Sequence, residues 1–257
     1  MASTIDLAAI AHRHLPADIA ARWITLLRPA IRLRSDGAAG RLEVGHSGGE
    51  PVLPAGEPWP VWPGHGPLTL VASIDCARLP VVAGLPLPAG GRLLFFYFDG
   101  QYDNGEALVY CMDPQSQAGA RVVFVPAELP SEPAVAPAGI EPYPRWPLYA
   151  DVVDTAPDYD SLAVRKAFPE SANTDGDHPV CGDDFVDGLD LPYHFGDQLG
   201  GHPLSIQGPV EFEVAQAALG GVIGGRRSCR SKRRAGGCSP SSATAAMAGT
   251  RQAPCTG

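Results

Sequence analysis

Residues 92–98 run Arg92-Leu93-Leu94-Phe95-Phe96-Tyr97-Phe98, apolar at odd and even positions alike. Successive side chains of a strand point to opposite faces, so this run predicts a central strand covered on both sides. Upstream, Leu68, Leu70, Ala72 and Ile74 alternate with Thr69, Val71 and Ser73, which predicts a half-buried strand ending at Asp75. Leu85 to Gly91 joins the two as a Pro/Gly connector. Downstream, Asp99 to Gly105 predicts a turn leading into Glu106 to Cys111 as an antiparallel partner, and Arg121 to Val125 a further short strand. The expected fold class is α+β, with a mainly antiparallel sheet and flanking helices.

Toward the amino terminus, Ser3 or Thr4 is placed to cap a short amphipathic helix running to about His14, which Leu15-Pro16 ends. Asp18 to Leu27 predicts a second helix with Ile19, Trp23, Leu26 and Leu27 on one face. Pro29 stops it, and Ala30 to Arg34 alternates like a strand. Neither helix carries a chemical motif, and both are expected to lie as a lid over the sheet. In the second half, residues 126–148 are Pro-rich and predict a linker or extended crossing, and Asp158 to Phe168 predicts a helix. Residues 171–190 are acidic and turn-rich and predict a solvated loop. Leu199-Gly200-Gly201-His202-Pro203 then repeats the Gly-Gly-x-Pro pattern of Gly48-Gly49-Glu50-Pro51, and Val210 to Val214 alternates as a strand or the start of a helix. The repetition predicts two related tandem halves: helices over 1–29, a β-rich half over 30–125, a connector over 126–149 and an incomplete second half over 150–225.

The whole chain has 257 residues, of which 57 are Gly or Pro, a composition that favours short strands and turns over long helices. Apolar residues make up 45%, too many for a disordered chain, yet no apolar run approaches the ~18–20 residues of a membrane span. Met1 to Leu15 lacks a basic-then-apolar secretory pattern. The net charge of −9 divides sharply: residues 1–225 hold 12 Lys/Arg against 28 Asp/Glu, whereas 226–257 hold seven basic residues and no acid. Cys229, Cys238 and Cys255 crowd that tail, while Cys76, Cys111 and Cys181 are scattered through the body. Three readings of the tail stand: a basic nucleic-acid arm, which lacks aromatic residues for stacking; a plain disordered terminus; and a frameshifted ending. GC-rich codons for Arg226 to Pro240 can be regrouped to encode a strand-like segment, which is the ending a second half would need. The expectation is therefore a frameshifted, disordered basic tail.

The residues that recur in order resemble the bacterial YwqG-like proteins, also called the DUF1963 domain. The resemblance rests on Gly48-Gly49-Glu50-Pro51, Trp59-Pro60, Leu68 to Asp75, Leu87 to Leu93 with Phe95-Phe96, and Leu199 to Pro203 with Ile206-Gln207. It covers roughly residues 25–215, and Leu27 to Leu33 is also similar to the first strand of that family. The resemblance implies a mostly β, internally duplicated fold with flanking helices. It implies no activity.

Candidate chemistry is sparse. His178 and Cys181 form H-x-x-C among Asp175, Asp177, Asp183, Asp184 and Asp187, but no C-x-x-C or H-x-x-x-H accompanies them, so a solvated acidic loop outweighs a metal site. The motif residues Gly48, Gly49, Pro51, Gly200, Gly201 and Pro203 could offer backbone N–H groups to an anion, yet lack any phosphate-loop context and are expected as structural turns. Trp59, Trp62 and Trp146 either line a groove for an extended peptide or plug the sheet ends. Cys76 has no assignable base, and Glu211 with Glu213 is expected on one strand face. The expectation is a cytoplasmic, non-catalytic protein that binds a protein or peptide partner, with no cofactor, metal, nucleic acid or membrane. Its candidate ligand-binding residues are Trp59, Trp62, Asp75, His194, His202 and Gln207. Two alternatives stand beside it. One is an enzyme whose site lies in the cleft between the halves, using His194, His202, Gln207 or Asp75. The other is an immunity-type protein whose acidic surface neutralises a basic toxin.

Overall fold

In a computed structural model the described residues are 6–37, 41–110, 113–170, 177–189, 197–203 and 209–218. In chain order the elements are helices α1 (Leu7–His14) and α2 (Ala17–Ile24), then strands β1 (Arg28–Arg34), β2 (Glu43–Ser47), β3 (Val52–Pro54), β4 (Val61–Trp62), β5 (Gly66–Pro67), β6 (Thr69–Asp75), β7 (Arg92–Tyr97), β8 (Ala120–Val125), β9 (Ser131–Pro133) and β10 (Trp146–Thr155). Helices α3 (Leu162–Ala167) and α4 (Asp183–Gly188), strand β11 (Asp197–Gly200) and helix α5 (Val210–Ala218) follow. Seven strands form one sheet in the order β11-β1-β10-β2-β6-β7-β8, and β3–β9 and β4–β5 form two-stranded ribbons. The pairs β10–β2, β2–β6, β6–β7 and β7–β8 are antiparallel, so the fold is the α+β, mainly antiparallel architecture that the apolar runs predict. No helix among the described residues is long and apolar enough to cross a membrane.

The chain divides into two compact units, one built from the described residues of 31–151 and 195–199, the other from those of 1–30, 152–194 and 200–243. In the first, the sheet unit, β7 is buried on both faces as its sequence dictates. Leu94 and Phe96 enter a cluster with Leu53, Trp62, Leu68 and Leu70, and Phe95 enters another with Val44, Ala72, Ile74 and Leu148. Strand β6 departs from its predicted alternation. Leu70 pairs with Phe96 and Ala72 with Phe95, so Val71 is an extra, bulged residue. The bulge shifts the phase, and Leu68 and Leu70 face one cluster while Ala72 and Ile74 face the other. Thr69 and Ser73 are buried too, so the strand is not the half-buried one expected. Gly45 of β2 is required by this close pairing, because a Cβ there would lie 2.1 Å from the Ser73 carbonyl oxygen.

The second partner of β7 is β8 and not residues 106–110, which form no strand; Cys111 lies outside the described residues. The preceding turn is too tightly wound to return a strand: Gly100, Asn104 and Gly105 all have positive φ, and Asp103 accepts hydrogen bonds from the N–H groups of Gly105 and Ala107. Part of the Pro-rich crossing is ordered as β9, which pairs with β3.

The helical unit has a core of its own. Trp23 meets Phe185 edge to face with ring centroids 5.0 Å apart, among Leu7, Ala11, Val164, Phe168, Val180 and Leu189. Ile19, Leu26 and Leu27 pack against this core, but α2 ends at Ile24 and Pro29 already lies in β1, so the helix is shorter than the one expected to run to Leu27; within the unit α1 contacts α4 and α2 contacts α3. The α1 cap is Asp6, whose Oδ1 accepts the Ala9 N–H at 3.0 Å; Ser3 and Thr4 lie outside the described residues. Residues 177–189, expected as solvated loop, instead hold a 3-10 turn (Pro179–Cys181) and α4, because Val180, Phe185 and Leu189 are buried among the acids. Residues 210–218 resolve as helix, with Arg165 over the Phe212 ring at 5.1 Å, which removes Glu211 and Glu213 from a shared strand face. The tail 226–257 and its frameshift reading lie outside the described residues.

Truncating Trp23 to alanine is expected to lower stability by about 3–5 kcal/mol, read as a fall in the denaturant midpoint, because the side chain is fully buried. Gly45→Val is expected to cost about 1–3 kcal/mol by forcing β2 away from Ser73, and an unchanged midpoint would contradict the pairing described.

Candidate functional site

Three stretches of the sheet unit, 50–66, 98–119 and 126–144, contain nine Asp and Glu residues and no Lys or Arg. The fold gathers them. Strand β3 pairs with β9, and the ribbon is extended by the Ala55 N–H donating to the Pro130 carbonyl at 3.0 Å and the Ala134 N–H to that of Pro51 at 2.9 Å. Trp62 closes on Gly119, where a Cβ would come within 2.9 Å of the indole. The Tyr102 ring lies over Gly66 and Gly139, both with positive φ. These contacts bring the three stretches together at the end of the sheet marked by the Thr69–Tyr97 pair.

Asp99 organises this end. Its Oδ1 accepts the Gln101 N–H at 3.1 Å, and its Oδ2 accepts the Gln101 side-chain amide at 2.7 Å together with the Tyr143 hydroxyl. Gln101 Oε1 in turn accepts the Glu141 N–H at 3.0 Å, tying the loop to the crossing. Burial first, and the bond to Asp99 second, raise the Tyr143 pKa, so the phenol stays protonated and acts as a donor. Next along the surface, Ser116 Oγ accepts the Tyr110 N–H at 2.8 Å and donates to the Tyr110 carbonyl at 2.7 Å. The outcome is a held surface on which Tyr102, Leu108 and Tyr110 stand about half exposed. These stretches hold no cation of their own, and the exposed rings supply apolar area at little entropic cost.

The residues singled out from the sequence fall in separate places. Trp59 donates its Nε1–H to the Leu68 carbonyl at 2.7 Å and meets Phe96 edge to face. Trp62 is buried, tilted over His65 with centroids 3.9 Å apart and edge-on to Phe98, so the two indoles pack into one cluster of the sheet unit. Trp146 is exposed at the start of β10. Asp75 lies at the other end of β6, where it accepts the Ala77 N–H and sits 3.5 Å from Arg78. The buried Cys76 thiol beside it is pushed up by burial and by Asp75. His194 and Gln207 lie outside the described residues. His178 accepts the Val180 N–H and lies 3.7 Å from Glu170, and no group of three His, Cys, Asp or Glu among the described residues could hold a metal ion.

Both Gly-Gly turns adopt the left-handed conformation, with φ +62° and +73° at Gly48 and Gly49 and +76° and +72° at Gly200 and Gly201. The first turn spends its donors on the protein: the Gly48 N–H on Val71 and the Gly49 N–H on Tyr143, each at 2.8 Å. A histidine accompanies each turn. His46 Nδ1–H donates to the Gly48 carbonyl at 2.8 Å. His202 Nε2–H donates to the Leu26 carbonyl at 2.7 Å, while its N–H donates to Thr155 Oγ1, whose hydroxyl donates to the Arg28 carbonyl. A carbonyl only accepts, which sets both tautomers. The basic-free stretches were present in the sequence, but their neighbourhood depends on pairings that no local pattern encodes.

Burial lowers the pKa of both His46 and His202. Unfolded histidine takes its proton near pH 6.5, so each ring contributes stability that is complete above that value and is lost as pH falls through it. Denaturant midpoints should therefore drop between about pH 7.5 and 5.5, and His202→Gln, which keeps a donor, should flatten part of that drop.

A family model described as a domain of unknown function (DUF1963) matches residues 46–230, well over half of the chain. A search of the curated proteins finds no match. With the predicted Gly-Gly turns and paired strands in place, the match settles the kinship: the chain belongs to the DUF1963, or YwqG-like, family.

Proposed function

We propose that this protein is a non-catalytic binding protein whose partner presents a basic protein surface to the acid-rich end of the sheet unit. The observation that carries the reading is the combination of nine acids, no Lys or Arg, and the half-exposed Tyr102 and Tyr110 on hydrogen-bonded loops. Aromatic anchors in a rim of one charge are the usual makings of a protein interface. Prior ordering of the loops by Asp99 and Ser116 reduces the entropy lost on binding. An immunity-type protein that neutralises a basic toxin is one case of the same reading, and it draws on the same surface. The unpaired, buried Cys76 fits a reducing compartment such as the cytoplasm.

The test is capture of partners by the full chain from cells that make it, at roughly 50 and 500 mM salt, alongside a Tyr102→Ala, Tyr110→Ala, Asp113→Lys variant. A basic protein retained by the natural chain at low salt, and lost with the variant or at high salt, is the expected result. Retention that ignores both changes, or turnover of a substrate by the purified chain, would overturn the proposal.

A further inference from the structure

We draw no further inference here: the strongest candidate, the exposed apolar patch of Val122 and Phe124 on β8 at the edge of the seven-stranded sheet, carries nothing, because nothing in the structure shows what covers it.

Discussion

The extra residue at Val71 is the constraint on which the sheet unit depends. A regular strand through residues 69–75 would send Leu70, Ala72 and Ile74 to one side and leave the other side of β7 without cover. With the bulge, Leu70 backs Phe96 and Ala72 backs Phe95, so two apolar clusters form on opposite faces of the same pair of strands. Thr69, at the start of the strand, is brought beside the Gln101 amide at 3.4 Å, where the polar end of the unit begins. Packing in the middle and hydrogen bonding at the end therefore share one origin.

Much of this architecture was legible. The run from Arg92 to Tyr97 announced a strand covered on both sides, and Ile19 and Trp23 announced the side of α2 that meets the helical core. What stayed hidden was non-local. The bulge at Val71 is invisible to a count of alternating residues, because it is set by the register with β7. The burial of Val180, Phe185 and Leu189 was masked by the acids around them, since charge density along a sequence says nothing about which side of a short helix meets a core. Likewise, residues 106–110 have strand-like composition, but the positive-φ turn before them and the Ser116 hydroxyl hold them in another path.

The candidate surface was less legible than the fold. Trp59 and Trp62 attracted attention as large rings beside prolines, and both are engaged inside the unit. Tyr102 and Tyr110, which carry no motif, are the rings left half exposed. The sequence did show an acidic body, but a net charge says little until the chain path decides which carboxylates stand together and which have a cation nearby. Glu43 has Arg145 at 3.1 Å and Asp151 has Arg41 at 2.8 Å, so those acids are neutralised locally. The loops around Asp99 have no such partner in their own stretches.

The His202 clasp has a bearing on how the molecule is made. It joins the junction after α2 to a residue synthesised 176 positions later, and the core around Trp23 likewise waits for Val164, Phe168 and Phe185. At ~5–20 residues per second, a ribosome would hold the first two helices without their partners for roughly ten to thirty seconds. Through that interval Trp23 and its apolar neighbours lack the partners that cover them in the folded chain.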